Sequence, residues 1–309
     1  MIAPCRDSAH DGQMAAPTTR TIDGHRIRLT SLDKVMYPST GLTKAGVIDY
    51  VTQVAPHLLR HAQGRPATRK RWIDGVGTAR KPGETFFHKN LDDDAPSWMT
   101  ARSLRHRDHT NRYPLLDTLS SVVWFVQRGA LEFHVPQWRY GARGKHLNPD
   151  RVVIDLDPDA GLDLSAVAEI AFAVREALAE EGVESVPVTS GSKGIHVYGA
   201  LDQKRSSDEV TEWVRDIAGG LASANARTVT ATMSNAARAG RVLIDWSQNR
   251  ASKSTVAPYS LRGRLRPWVA CPRTWDELGQ SGLSQLEHHE VVDLLADRGD
   301  PLASITGDT

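Results

Sequence analysis

Apolar residues recur at helical spacing over Thr43–Ala62, where Val47, Ile48, Val51, Val54, Ala55, Leu58 and Leu59 mark one face. Gly64 and Pro66 stop the pattern. Pro56 lies inside it and predicts a kink, because proline lacks the N–H that a helix interior needs. A helix is predicted over 118–129. Another is predicted from Ser165 to Glu181, with Val167, Ile170, Val174 and Leu178 on one face and Gly182 beyond the end. Ser206-Ser-Asp-Glu209 has the capping-box form, in which hydroxyl and carboxylate satisfy two free backbone N–H groups. It opens a helix carrying Val210, Trp213, Val214, Ile217 and Leu221. Ser284-Gln-Leu-Glu287 has the same form and predicts a last helix through Val291, Leu294 and Leu295.

Period-two alternation predicts a strand over His25–Thr30. Thr68–Ile73, Glu84–Lys89 and Leu131–Trp138 are further strand candidates. The short apolar runs Val152–Leu156, Val186–Thr189, Ile195–Ala200 and Val242–Trp246 read as buried strands. Many links between strands are hairpin-like, and the helices fall between them irregularly. The pattern predicts an α+β fold with mixed or antiparallel central sheets and flanking helices. Residues 1–20 are small, polar and unpatterned and are read as a disordered tail. Residues 21–309 are read as a single catalytic domain of one or two lobes.

The chain has 309 residues, 40% hydrophobic, enough for a sizeable core. Its net charge of +1 removes any global basic excess, so contact with nucleic acid must rest on local clusters. The run Arg102–Arg112 (RSLRHRDHTNR) reads as a solvated face. Cys5 and Cys271 form no CxxC pair, which excludes a zinc ribbon, and a structural disulfide is not expected. No stretch approaches the ~20 apolar residues of a membrane span, and no apolar secretory segment opens the chain. The cytoplasm is the expected location.

Arg151-Val-Val-Ile-Asp-Leu-Asp-Pro-Asp159 places two acids at the end of a buried strand. Side chains two apart on a strand face the same way, so Asp155 and Asp157 share one spot. Like charges there repel, and a hard divalent cation would neutralise them. Turn chemistry at Asp157-Pro-Asp159, with Asp155 paired to an arginine, explains this stretch equally well. Arg241-Val-Leu-Ile-Asp-Trp-Ser-Gln-Asn249 shifts the balance, because a second apolar strand delivers Asp245. Three carboxylates on two adjacent strands suit two-metal phosphoryl transfer. Ser190-Gly-Ser-Lys-Gly-Ile-His196 adds two glycines, two hydroxyls and an ammonium between strands. It is no Walker A loop, since GxxxxGK[ST] is absent. A plain hairpin turn would explain Ser and Gly, but not Lys193 and His196. His134, in another strand, is by itself more often structural than catalytic.

Together these pieces resemble the archaeo-eukaryotic primase superfamily, and more closely the polymerase domain of bacterial ligase D, the DNA-end-joining enzyme. The resemblance rests on Asp155-Leu-Asp157, Ser190–His196, Ile244-Asp-Trp-Ser-Gln-Asn249, Gly64–Trp72, His134-Val-Pro-Gln-Trp138 and Ala257-Pro-Tyr-Ser-Leu-Arg-Gly263. These motifs are ordered and spread over nearly the whole chain. The resemblance implies a template-directed nucleotidyltransferase using manganese or magnesium. It implies that Asp155, Asp157 and Asp245 hold the metals. His134, Ser190, Ser192, Lys193, Gln248, Arg262 and Lys70 would surround the nucleoside triphosphate. It further implies that Lys34 and Lys44 grip the 5′-phosphate of a downstream DNA strand. Phe86 and Phe87 match a pair that stacks on the template, and at least one of them is expected in the core. Arg238 falls in a loop that configures the primer end. Many members carry a lysine where this chain has Asn235, a departure that bears on end bridging and not on the chemistry.

The implied function is extension of primers and filling of short gaps, with a preference for ribonucleotides, in double-strand-break repair by non-homologous end joining. DNA with 5′-phosphorylated ends, a Ku-like end-binding protein and a separate DNA ligase are the implied partners. A stand-alone primase would share the chemistry. A two-metal nuclease has no need of the phosphate-binding Lys193 and Arg262, and a non-catalytic end-binding module has no need of a complete acid triad.

Overall fold

The computed structural model describes residues 17–306. Most of the predicted tail, with Cys5, lies outside them. The first strand, β1 (Thr18–Ile22), starts inside the segment read as tail and pairs antiparallel with β2 (His25–Leu29). Asp23 and Gly24 turn the chain between them at φ 49° and 77°, the backbone that a two-residue hairpin requires.

β3 (Val35–Tyr37) and β4 (Leu42–Thr43) form a second hairpin. Thr43 caps α1 (Lys44–Ala62) by accepting the Gly46 N–H at 3.3 Å, and the helix continues through Pro56 as one element. β5 (Thr68–Arg71) and β6 (Phe86–His88) follow. Next come β7 (Ala101–Arg105), β8 (Thr110–Pro114), α2 (Leu119–Gln127) and β9 (Ala130–Val135). The β7–β8 hairpin occupies the run read above as a solvated face. Asn111 and Tyr113 are buried while Arg112 between them is exposed, so alternation hid inside a charge-rich string.

The second half holds β10 (Arg151–Pro158), α3 (Leu164–Glu180), β11 (Ser185–Thr189), β12 (Ile195–Ala200) and α4 (Ser207–Ala224). It continues with β13 (Val229–Thr230), α5 (Asn235–Arg238), β14 (Val242–Asp245), β15 (Thr255–Val256), β16 (Cys271–Pro272), α6 (Trp275–Leu278) and α7 (His288–Arg298). The Ser206–Glu209 capping box is present. The predicted box at Ser284–Glu287 is not. Glu287 is itself the cap of α7, and Glu290 reaches back to its N–H at 2.7 Å. Cys271 is free and buried. Among the described residues no helix is long and apolar enough to cross a membrane.

Two sheets organise these elements into the mixed, largely antiparallel α+β fold that the pattern predicts. The larger has the order β13-β14-β10-β12-β11-β16, antiparallel except at β13–β14. The smaller has the order β15-β9-β5-β6. On one face of the larger sheet Val152, Ile154 and Leu156 pack against Val167, Ile170 and Val174 of α3 and Val210 and Val214 of α4. On the other face Val153, Val188 and Tyr198 meet Val256 of β15. The seemingly continuous apolar run of β10 therefore serves two cores. Beyond Val153 the second face turns polar and opens toward the smaller sheet.

Candidate active site

β10 is flanked by β12 and β14, and its register sets the acids side by side. Asp155 lies opposite His196 on one neighbour and opposite Asp245 on the other. Directly paired residues project to the same face, so the three form a row, and Asp157 follows two positions on. His196 is buried, its Nε2 is 3.3 Å from Asp155 Oδ1, and its Nδ1 has no hydrogen-bond partner. Asp245 caps a short 3₁₀ turn. Its Oδ1 accepts from the Ser247 amide at 3.0 Å and the Ser247 hydroxyl at 2.6 Å, and its Oδ2 from Gln248 Nε2 at 2.8 Å. Asp157 is pushed up to about 6 by burial, then by Asp155 and Asp245; His196 and Arg238 oppose this. Arg238, on α5, stands 3.9 Å from Asp157, so this cation faces the acids themselves.

A carboxylate held up by burial and by two neighbouring acids, despite Arg238 and His196, marks a site short of positive charge, and oxygen donors of this kind suit a hard divalent ion. Asp155, Asp157 and Asp245 fit such an ion in chemistry and in placement. Their oxygens do not form a closed cage. Among the described residues only Glu287, His288 and His289 bring three donor atoms all within 4.8 Å of one another.

The loop between β11 and β12 is ordered from within. The Ser190 hydroxyl accepts the Ser192 and Gly194 N–H groups at 3.3 and 3.2 Å, and Gly191 N–H donates to Gln285 Oε1 at 2.7 Å. These amides are thus engaged inside the protein and are not free to meet a phosphate. Ser192 is half-buried and Lys193 is exposed. Both glycines are required. At Gly191 (φ 64°) a Cβ would lie 2.7 Å from the Val269 backbone, and at Gly194 it would collide with the Leu156 carbonyl. Gly194→Ala is expected to cost about 1–3 kcal/mol of stability, read from the denaturant midpoint, because backbone and not a flexible side chain must give way.

Arg262 joins this loop to the smaller sheet. One of its terminal nitrogens donates to the Ser190 carbonyl at 2.6 Å, and its Nε lies 3.4 Å from Glu132. Glu132 is buried, accepts the Gly263 N–H at 2.9 Å and lies 2.7 Å from His134 Nε2. The sequence reading gave Glu132 no role. Its i, i+2 spacing from His134 on a strand was the available signal. Burial lowers His134, although Glu132 opposes this. The imidazole is therefore neutral at neutral pH, and the acceptor oxygen of Glu132 places its proton on Nε2.

Lys70 is in register with Phe87 on one side and Glu132 on the other, so all three share the face that carries His134. Phe87 is 56% exposed and Phe86 is half-buried, so neither is a core residue: β6 is an edge strand with a single neighbour. A cavity of about 390 Å³ unites Phe87, His134 and Gln248 with Leu104, His106 and Tyr113 of the β7–β8 region. Lys34 and Lys44 meet away from this cluster, at the start of α1. Lys34 Nζ pairs with Asp74 at 2.8 Å. The buried Lys44 is lowered by burial and then by Lys34. Two cations at a helix N-terminus suit an anion in chemistry.

The family described as LigD, primase-polymerase domain, matches residues 43–302. The multifunctional non-homologous end joining DNA repair protein LigD of Mycobacterium tuberculosis is 46% identical over 288 residues, which is 92% of this chain and 37% of that protein. The bifunctional non-homologous end joining protein LigD of Bacillus subtilis is 29% identical over 279 residues, 89% of this chain and 43% of that protein. The chain thus spans well under half the length of these relatives. The solved polymerase domain of Mycobacterium tuberculosis ligase D in complex with DNA superposes with a TM-score of 0.87 at 46% identity, covering 92% of this chain and 99% of that one. With that match in sequence and fold, the chain belongs to the LigD primase-polymerase domain family, a family of nucleotidyltransferases.

Proposed function

We propose that this chain extends primers on a DNA template across short, 5′-phosphorylated gaps, in end joining of broken DNA. The observation that carries the reading is the register-aligned row of Asp155 and Asp245, with Asp157 beside it, joined through the Asp245–Gln248 bond to the cavity that His134 and Phe87 line. The primer 3′-hydroxyl attacks the α-phosphate of the incoming nucleotide and pyrophosphate leaves. Manganese or magnesium, held by Asp155, Asp157 and Asp245, would supply Lewis-acid charge at the attacking and leaving oxygens. Arg262 carries five N–H donors, and those not spent on Ser190 and Glu132 offset charge on the β- and γ-phosphates. Lys193, exposed on its loop, adds a second positive charge. Phe87 offers an exposed ring on which an unpaired template base stacks without sequence readout.

A labelled primer on a gapped template, with manganese and either ribo- or deoxyribonucleotides, tests the reading. Templated extension, better with ribonucleotides, is the expected result. Degradation of the end would instead indicate a nuclease. Binding without turnover would indicate an end-binding module. The family's likeness to end-joining proteins extends the proposal to a Ku-like end binder and a ligase as partners.

The 5′-phosphate reading carries its own expectation. Lys34→Ala removes the more accessible cation at the α1 terminus. The preference for a 5′-phosphorylated over an unphosphorylated gap is then expected to fall about tenfold, the usual scale of one charge-assisted contact. Fluorescence anisotropy with both duplexes measures it. An unchanged preference would remove Lys34 from the phosphate site.

A further inference from the structure

β10 begins on a charge that the proposed chemistry does not use. Arg151, its first residue, is 3% exposed. Its Nε donates to Gln137 Oε1 at 2.8 Å, one terminal nitrogen donates to the His61 carbonyl at 3.1 Å, and its guanidinium lies 5.3 Å from the Tyr198 ring centroid. The other terminal nitrogen has no hydrogen-bond partner. Among the described residues no carboxylate pairs with Arg151. The nearby acid, Asp150, is already taken: both its oxygens accept from Arg65, at 2.6 and 2.8 Å, and Arg139 Nε lies 3.1 Å from it. Arg65 is 4% exposed and its Nε is also without a partner.

These residues line one cavity of about 290 Å³, joined at its edge by Arg60. Among the described lining residues four guanidiniums face one carboxylate. Burial, and next the charge of Arg65, push Arg151 down to about 9. A buried guanidinium with no carboxylate of its own and one terminal nitrogen without a partner is poorly explained by stability alone. The cavity lies at the far end of β10 from the acids, with three residues, and about 13 Å of strand, between Arg151 and Asp155. It is therefore separate from the active site. No aromatic ring is among its described lining residues, which therefore offer no stacking surface for a base. Guanidinium groups with open donors match a compact, multiply charged oxyanion.

We propose that this cavity is a second anion site, which takes a phosphate oxyanion either as the free ion or as a phosphodiester of a DNA backbone. Removing Arg151 itself would leave a hole and a broken network, so the test acts at the rim. Inorganic phosphate is titrated calorimetrically, at constant ionic strength, into the full chain, into the Arg60→Ala/Arg139→Ala variant and into Lys34→Ala. Phosphate is expected to bind the rim variant at least about tenfold more weakly than wild type. The same site is expected to be intact in Lys34→Ala. Should the double variant prove unstable, Arg60→Ala alone, at an exposed position, gives the same direction with a smaller change. Equal phosphate affinity in wild type and rim variant, or no phosphate binding by wild type, overturns the proposal. A duplex lacking terminal phosphates then separates the two sources. Its displacement of phosphate in wild type, but not in the rim variant, identifies the backbone as the natural occupant. Failure to displace it identifies the free ion. Neither result depends on whether the chain extends primers.

Discussion

Asp157→Ala is expected to abolish templated extension, by at least about 10³-fold, while leaving affinity for a 5′-phosphorylated DNA end within about twofold of wild type. The two effects separate because Asp157 stands on β10 beside Asp155 and Asp245, whereas Lys34 and Lys44 stand at the start of α1. Equal loss of both activities would sink the assignment. The same change is expected to act oppositely on the protein without metal. Burial and two neighbouring acids hold Asp157 up at about 6. Its protonated form is the one that folding favours. That contribution is fully present below the ordinary carboxylate value near 3.8 and is lost as the pH rises through about 6. Above pH 6 the variant should therefore melt no lower than wild type in the presence of a chelator. Added manganese should raise the melting temperature of wild type only. That rise should shrink as the pH falls through about 6, because a cation must displace the Asp157 proton. A manganese shift of equal size in the variant would mean that the acids hold no metal.

The local code made much of this legible. Helical spacing located the long helices, and the i, i+2 rule put Asp155 and Asp157 on one face. What stayed hidden depends on register or on mixed composition. Nothing local says that Asp155 pairs with both His196 and Asp245, because antiparallel neighbours from distant segments set that alignment. The β1–β2 hairpin carries a legible Asp23-Gly24 turn between Thr-rich and alternating strands, yet its start lies in a segment whose composition resembles a tail. The β7–β8 hairpin was masked by arginines on its outer face, although its inner face helps to line the cavity beside Phe87. The Ser190–Gly194 loop shows its two glycines and two hydroxyls in the sequence alone. Which way its amides point was set by Gln285, nearly a hundred residues on, and no spacing rule reaches that far.

Glu132 is where the hidden part matters most. Its carboxylate is held far below the usual range: burial works against ionisation, but the bond from His134 and the charge of Arg262 outweigh it. One buried anion thus orients the imidazole, faces the guanidinium and holds the Gly263 backbone. Glu132→Ala leaves Arg262 without a counter-ion and two N–H donors without an acceptor, so it is expected to cost about 3–5 kcal/mol of stability. Because the folded value is depressed, this contribution exists above the ordinary Glu value near 4.5 and fades as the pH falls toward the folded one. A loss of that size would also lower activity trivially, so the sharper variant is Glu132→Gln, which keeps shape and one acceptor. Gln presents either an oxygen or an N–H to His134, and in the second case the imidazole must move its proton to Nδ1. The neutral amide also stops balancing Arg262. The expected result is a fold that melts within a few degrees of wild type, a KM for nucleotide raised about tenfold and a kcat changed far less, because the proposed contact of Arg262 with the triphosphate would act in ground and transition state alike. An unchanged KM beside an intact fold would make the Glu132 network a structural tie between the two sheets, with no part in gripping the substrate.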